Sequence, residues 1–540
     1  MLSTQSDPAV NGSEKLLRPD PRLALSQLST GRLLTVWLVY LACGNQSLVR
    51  AAPGLLRLAE RLRLGWLSNA VVRRTFFAWF CAGESEREIV HTMRRLRAAG
   101  IGSILDFSAE ADLAEGTAAD PAAARAQANV QADAFAKEYL HGLQMAGQVS
   151  GAFAAVKITG LADPEVLFRL SQPHRRVREA FMAADADGDG RVDFAQFRDA
   201  VLRAMPGGAR VASASGLFAM VDNDGDGLVD WADVQTALGL DNPLARPLYL
   251  QAEEGDACDY GATAADLDDY ERLVARARAV VQHASERGVR VMVDAEHSYF
   301  QPMIDHVALV LQREFNQGAS GTLVFNTYQM YRADALDRMK ADYARSEREG
   351  WRFAAKLVRG AYMELENARA ANLGYPSPIH TSLENTHACY NAGVKFLVDR
   401  IAAAQHSPDA AALSPVVFVA THNNASIEKT MQLVRDLRVD TAGEAVMFGQ
   451  LLGMQDATSY ALADAGLPIY KYVPYGGLNE VMPYLIRRAQ ENSAVGAAIR
   501  SEATAVLREI VARLLGRSCI AAPRQQQQQQ QQQAGDTSAL

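Results

Sequence analysis

From Ser103 to Val473 the chain repeats one pattern eight times: a short β-branched or aromatic run, mostly followed by a helical stretch. The runs are Ser103–Phe107, Ala152–Ile158, Val289–Asp294, Thr322–Asn326, Phe353–Val358, Val416–Ala420, Ala445–Phe448 and Pro468–Val473. Between the first two lies Pro121–Met145, which is Ala-rich and helical in pattern. Parallel strands need long crossovers, and a helix is the usual one. Eight βα units therefore predict an α/β fold, a closed (β/α)8 TIM barrel.

Such a barrel carries its chemistry at the C-terminal ends of its strands. Reading those ends in order gives Glu110, Lys157, Asp294-Ala295-Glu296, Asn326-Thr327-Tyr328-Gln329, Lys356 with Arg359-Gly360-Ala361-Tyr362, Thr421-His422-Asn423-Asn424, Gln450 and Tyr472. Taken singly, Lys157 reads equally well as a salt-bridge partner, Asp294 as a helix cap and His422 as a structural histidine. Polar groups at nearly every strand end, converging on one mouth, form the pattern of a site.

The stretch after the eighth run completes that site. Val473-Pro474-Tyr475-Gly476-Gly477 is a breaker cluster, and Leu478, Val481, Met482 and Leu485 then follow helical spacing. Tyr484, Arg487, Arg488 and Glu491 share one face of that helix. Two adjacent guanidiniums beside tyrosines form an anion clamp, because each fork grips a carboxylate with two parallel hydrogen bonds. Arg487 and Arg488 are thus expected to hold a substrate carboxylate, with Lys157 as a third cation. Asp294, near those cations, stays ionised and fixes an arginine or lysine. The Gly360 turn lets backbone approach something bulky, and Asn326, Lys356, Thr421 and His422 suit an extended polar cofactor.

Composition excludes some classes. A net charge of −8 and a pI near 5.8 argue against a general nucleic-acid binder. Cys43, Cys81, Cys258, Cys389 and Cys519 show neither metal spacing nor a disulfide framework, which fits a reducing compartment. Leu33–Cys43 is too short to span a bilayer and reads as a buried helix.

Between the second and third runs stand two calcium-loop patterns in tandem. The first offers Asp185, Asp187, Asp189, the Arg191 carbonyl and Gln196, with Gly190 at the sharp turn. The second offers Asp222, Asp224, Asp226, the Leu228 carbonyl and Asp233, with Gly227 at the turn. The spacing meets the need for oxygens at loop positions 1, 3, 5, 7 and 12, and reads as an inserted EF-hand pair. Val192 and Val229 are placed to pair the loops as a ribbon, over a small core of Phe181, Phe194, Phe197, Val201, Leu217, Phe218 and Trp231. Position 12 departs from the bidentate glutamate in both loops. Gln196 is neutral and Asp233 is short, so weak to moderate Ca2+ affinity is expected, with the second loop the better site and open to Mg2+.

Several long motifs resemble the proline dehydrogenase family, in its mitochondrial eukaryotic branch. They are ILDFSAE (Ile104–Glu110), VMVDAEHSYFQP (Val291–Pro302), FNTYQMY (Phe325–Tyr331), LVRGAY (Leu357–Tyr362), ATHN (Ala420–Asn423), FGQLLGM (Phe448–Met454) and YKYVPYG…PYLIRRAQEN (Tyr470–Asn492). The segment Phe76–Gly83 matches as well. The resemblance implies a distorted barrel carrying FAD, oxidation of L-proline to Δ1-pyrroline-5-carboxylate, and electron transfer to a membrane quinone. It also implies a mitochondrial location, on the matrix side of the inner membrane, with peripheral contact to it. By position, Arg487 and Arg488 match the carboxylate clamp, Lys157 the substrate-contacting lysine and Asp294 the active-site aspartate. Tyr472 and Tyr484 match the aromatic wall, and Glu110 a glutamate that pairs with the clamp. Ala295, Asn326, Lys356, Val358, Arg359, Gly360, Ala361, Thr421, His422 and Glu491 match FAD contacts. Lys356 stands where some members carry Arg. A smaller residue at Tyr472 goes with relatives that oxidise hydroxyproline, so Tyr472 favours proline.

The expected organisation is a disordered lead (1–20), an N-terminal helical region rich in Leu and Arg (21–100), a barrel (101–162 and 241–516) interrupted by the insertion (163–240), and a disordered Gln-rich tail (517–540). The acidic stretch 241–270 serves as a connector. Arg-rich helices in the 21–100 region either pack on the barrel or touch anionic lipid. Three competing functions are a hydroxyproline dehydrogenase, a calcium-binding module on an inactive barrel, and a Schiff-base aldolase using Lys157.

Overall fold

The structure, a computed structural model, describes residues 19–108, 120–206, 213–223, 225–250, 261–318, 321–407, 411–494 and 496–516. The expected lead (apart from 19 and 20), the tail, Glu110, Asp224 and the middle of the acidic connector lie outside the described residues.

Strand β1 (Ile101–Phe107) pairs in parallel with β2 (Phe153–Val156) on one side. Two short strands, β3 (Arg191–Val192) and β4 (Val229–Asp230), belong to the insertion. The barrel resumes with β5 (Arg290–Val293), β6 (Val324–Gln329), β7 (Ala354–Val358), β8 (Val416–Ala420), β9 (Val446–Leu451) and β10 (Ile469–Tyr475). The order β1-β10-β9-β8-β7-β6-β5-β2 closes an eight-stranded parallel barrel. Strands β6, β9 and β10 run past the expected ends: Gln329 and Gln450 turn their polar side chains into the barrel mouth, while Tyr475 packs outward on Phe107 with its hydroxyl donating to the Glu138 carbonyl.

Successive strand residues alternate faces, so every second residue points into the barrel. Ile104, Phe153, Ala155, Met292, Phe325, Ala354, Phe418, Met447 and Tyr470 fill its lower layers as one buried cluster. Arg290 lies over the Phe153 ring at 3.9 Å and donates to Tyr470 Oη at 2.7 Å, closing the floor.

The N-terminal helices form a second core with the helix Leu478–Ala494. Leu33, Val36 and Val39 meet Val481, Tyr484 and Leu485 there, and Trp79 Nε1 donates to the Gly453 carbonyl at 2.9 Å. This region therefore buttresses the helix that carries both arginines.

In the insertion, Val192 and Val229 pair antiparallel and are fully buried, as their spacing anticipates. Phe181, Phe197, Val201 and Phe218 are buried, while Phe194, Leu217 and Trp231 are partly so. This core is continuous with that of the barrel flank, because the helix Pro164–Ala184 packs on the helix Gln301–Phe315.

Candidate active site

The same alternation that fills the barrel floor builds its mouth. Two residues beyond Ile104, Ala155, Met292, Phe325, Ala354 and Tyr470 stand Asp106, Lys157, Asp294, Thr327, Lys356 and Tyr472, all facing one cavity of about 690 Å3. That is the size of a site for a substantial organic ligand. Arg487, Arg488, Glu491 and Tyr484 reach into it from the helix after β10.

Its charges come in pairs. Lys157 Nζ lies 2.8 Å from Asp106 Oδ1, with both groups buried. Lys356 is salt-bridged to Asp294, and Tyr472 Oη donates to the other oxygen of Asp294 at 2.6 Å. Burial works to raise the Asp294 pKa, but Lys356, Lys157 and the Tyr472 hydroxyl outweigh it and hold the carboxyl below its usual range. Asp294 is thus an ionised anchor, as expected from its cationic surroundings. Burial, reinforced by Asp106 and Asp294, pushes the Tyr472 phenol well above its usual value, so it stays a neutral donor.

Arg488 is buried, ion-paired with Glu491, and sits over the Tyr484 ring at 5.0 Å. The Tyr484 hydroxyl and Arg488 Nε are buried with no hydrogen-bond partner, so each has a donor to offer a ligand. Arg487 lines the same cavity.

A second group of residues forms a polar wall. Arg359 donates to Thr421 Oγ1 at 2.6 Å, to Ser426 Oγ at 2.9 Å and to His387 Nδ1 at 3.0 Å, and stacks on Tyr390 at 4.3 Å. All these partners are neutral, and no carboxylate pairs with Arg359 among the described residues. A half-buried guanidinium with neutral partners is free to take an anionic ligand group. His422 is neutral: burial, then Lys471, Arg488 and Arg359, lower its pKa to about 3. Its Nε2 accepts from the Leu451 amide at 3.4 Å, so the proton is on Nδ1, which is buried without a partner. Gly360 has φ +137°, and a Cβ there would lie 2.4 Å from the Tyr331 ring, so only glycine shapes this turn. Ala295, Val358 and Ala361 complete the lining.

One expected contact is misplaced. Asn326 is fully buried in the wall, where its Nδ2 donates to Asp305 Oδ1 at 3.0 Å. Strand β6 puts Phe325, Thr327 and Gln329 inward, so Asn326 and Tyr328 face the surrounding helices. Asp106, conversely, is a site residue that the strand-end reading passes over. Its signal is an acid inside an otherwise apolar strand.

In the insertion, the carboxylates of Asp185, Asp187 and Asp189 converge, with one ligand oxygen from each within 4.8 Å of the others. The Gly190 amide donates to Asp185 Oδ2 at 2.9 Å, and the Gly227 amide to Asp222 Oδ2 at 3.1 Å. Arg191 is salt-bridged to Asp226 at 2.8 Å, and the Leu228 amide donates to Asp226 Oδ1 at 2.8 Å. Gln196 caps its own helix start, accepting from the Asp193 amide at 2.8 Å and donating to the Ala184 carbonyl at 2.8 Å. Asp233 pairs with Arg348 of the barrel.

The family model described as proline dehydrogenase matches residues 89–501. This chain belongs to the proline dehydrogenase family. Among curated members, Proline dehydrogenase 1, mitochondrial, of Homo sapiens is 31% identical over 536 residues, covering 90% of this chain and 87% of that relative. Hydroxyproline dehydrogenase of Bos taurus is 38% identical over 251 residues, covering 46% of this chain and 53% of that relative. The crystal structure of proline utilization A from Bdellovibrio bacteriovorus superposes with a TM-score of 0.53 at 17% identity, over 87% of this chain and 38% of that one. That likeness supports the proline dehydrogenase barrel as a fold. The matched span takes in every described residue that lines the cavity.

Proposed function

We propose that the chain is an FAD-dependent proline dehydrogenase that oxidises L-proline to Δ1-pyrroline-5-carboxylate and passes the electrons to a quinone. The observation that carries this reading is the meeting, in one cavity, of an arginine pair beside tyrosines with a half-buried arginine, Arg359, for which no acidic partner stands among the described residues. The first suits a small amino-acid carboxylate, and the second a dinucleotide phosphate.

The residues present fit the flavin. Arg359, Thr421 and the Nδ1–H of His422 are donors for its polar portion, and the Gly360-Ala361 turn leaves room for close approach. Ala295, Lys356, Val358 and Glu491 would line it, while Asn326 acts from behind the wall. A flavin held there would supply two-electron acceptance for oxidation at the ring carbon next to nitrogen. The chain's own residues do the rest. Arg487 and Arg488 grip the proline carboxylate in a water-poor mouth, and Tyr472 and Tyr484 form an aromatic wall that orients the ring. Asp294 fixes Tyr472 and Lys356, and Asp106 fixes Lys157, so both lysines present their charge toward the substrate from set positions. Glu110 is proposed as a partner of the clamp.

Hydroxyproline is the second reading, since hydroxyproline dehydrogenases are among the relatives. Tyr472, with its hydroxyl held on Asp294, lines the cavity, and its bulk is proposed to disfavour a ring hydroxyl, which favours proline. The aldolase reading loses ground because an ion-paired Lys157 ammonium has no lone pair to attack a carbonyl.

The relatives' names favour a mitochondrial location for this chain. Among the described residues no helix is long and apolar enough to cross a membrane. Leu34, Leu38, Leu41, Leu55, Leu58 and Trp66 are exposed, and Arg50, Arg57 and Arg61 stand among them, which suits peripheral contact with an anionic bilayer near its quinone pool. The inserted loops are proposed to bind a divalent cation, with calcium the first candidate.

Steady-state assay of the purified, flavin-loaded protein with L-proline and a soluble quinone tests the enzyme reading. Quinone reduction with stoichiometric Δ1-pyrroline-5-carboxylate supports it. A protein that retains flavin but consumes no proline refutes it.

A further inference from the structure

The two loops of the insertion take no part in the barrel chemistry, and they differ in charge. In the first, three carboxylates crowd together: Asp185, Asp187 and Asp189 each bring an oxygen within 4.8 Å of the others. Asp187 and Asp189 are exposed, but Asp185 is only 9% exposed, and its Oδ1 is buried with no partner. A buried carboxylate oxygen without a donor, next to two more carboxylates, is costly unless a cation sits among them.

The second loop already has its cations. Arg191 reaches across from the first loop to Asp226 at 2.8 Å. Arg348, on the barrel helix Ala335–Glu349, forks onto Asp230 and Asp233 together. Asp233 is the position-12 residue, the one a bound cation needs to close its shell. The following helix is tied to the same barrel helix, because Gln235 donates to Asp342 at 2.9 Å and Thr236 to Glu349 at 2.6 Å. Asp222 also keeps a buried oxygen without a partner, but its described companions Asp226 and Asp233 are engaged by guanidiniums.

We propose that the insertion binds one divalent cation, in its first loop, and that Arg191 and Arg348 stand in for a cation in the second, which serves to fasten the insertion to the barrel. This rests on the reading of the insertion as a cation-binding pair, and it reverses the order expected from position 12. There, Asp233 looks the better ligand until its partner is seen. The first-loop ligands are the carboxylates of Asp185, Asp187 and Asp189 and the Arg191 carbonyl, with water completing the shell while Gln196 caps its helix. A hard, oxygen-seeking ion such as Ca2+ suits this set, with a Kd of roughly 10⁻⁵ to 10⁻³ M given the missing bidentate carboxylate. Arg191 belongs to both loops: its amide donates to Asp189 Oδ1 of the first at 2.8 Å, while its side chain neutralises Asp226 of the second.

The test is calorimetric titration of the full-length, flavin-loaded protein with CaCl2 and, separately, MgCl2. The expected stoichiometry is one. Asp187→Asn is expected to weaken binding by tenfold or more, and Asp226→Asn to change it by less than about twofold. Arg191→Ala/Arg348→Ala, which frees both Asp226 and Asp233 and leaves the residue-191 carbonyl in the chain, is expected to raise the stoichiometry to two. Circular dichroism of each variant controls for folding; Asp187 and Asp226 are exposed, so that pair decides the matter even if the double variant unfolds. Binding lost in Asp226→Asn but kept in Asp187→Asn, two equivalent sites in the unmodified protein, or a stoichiometry of one in the folded double variant would each overturn the proposal. Absence of any calcium binding into the millimolar range would overturn the cation-binding reading of the insertion as well, and would leave proline oxidation untouched.

Discussion

Lys157 Nζ, on the residue just after β2, and Asp106 Oδ1, on β1, lie 2.8 Å apart, both groups buried at the mouth of the barrel. Neither charge is tolerable there alone. Removing one partner of a buried pair strands the other, at a cost of about 3–5 kcal/mol.

Asp106→Ala should therefore destabilise the fold by roughly 3 kcal/mol and release Lys157 from its set direction. Turnover with proline is expected to fall by about 100-fold, because misplacing one group by an ångström costs that much. Asp106→Asn, which keeps the shape and one acceptor, should fall between the two. Thermal unfolding and kcat/KM on the three proteins check this.

Arg487→Lys and Arg488→Lys each exchange a planar fork for a point charge. Losing one charged hydrogen bond to the carboxylate is worth about 1.5–3 kcal/mol, so KM for proline should rise by roughly 10- to 100-fold. If KM is unchanged in both variants, the carboxylate is held elsewhere.

The neutral His422, with its pKa lowered to about 3 by burial and nearby cations, makes stability depend on pH. The unfolded chain takes up a proton below the ordinary histidine value of 6.5, whereas the folded chain does so only near 3. Stability is thus full above pH 6.5 and lost as pH falls toward 3. Buried carboxyls such as Glu502, pushed up to about 7, titrate in the opposite sense, so the informative quantity is a difference. Between pH 5.5 and 4.5, His422→Asn should flatten the slope of unfolding free energy by about 1.4 kcal/mol per pH unit. Denaturant titrations at both pH values measure it.

Gly360→Ala places a Cβ 2.4 Å from the Tyr331 ring at a backbone angle, φ +137°, that alanine resists. The turn is expected to shift and the protein to purify with at most a tenth of the flavin held by the unmodified chain. The ratio of flavin to protein after gel filtration is the readout.

The eight-stranded barrel was legible because parallel strands are nearly continuous apolar runs and helical periodicity separates them. Period-two alternation carried most of the site with it, from Lys157 to Tyr472. Asn326 was misassigned because β6 runs on to Gln329, so the inward positions are Thr327 and Gln329. Asp106 went unread because one acid in an apolar run gives no sign of its partner, which lies 51 residues further along the chain. The Arg348–Asp233 pair spans 115 residues and joins two parts of the fold that share no motif. Pairings of that kind are set by packing.

The most direct measurement is anaerobic mixing of the flavin-loaded protein with L-proline, followed by its visible absorbance. The proposed clamp, aromatic wall and flavin site together predict complete bleaching of the flavin by proline, with 4-hydroxyproline at least tenfold less effective. An unchanged spectrum, or bleaching by hydroxyproline and not by proline, would contradict that assignment.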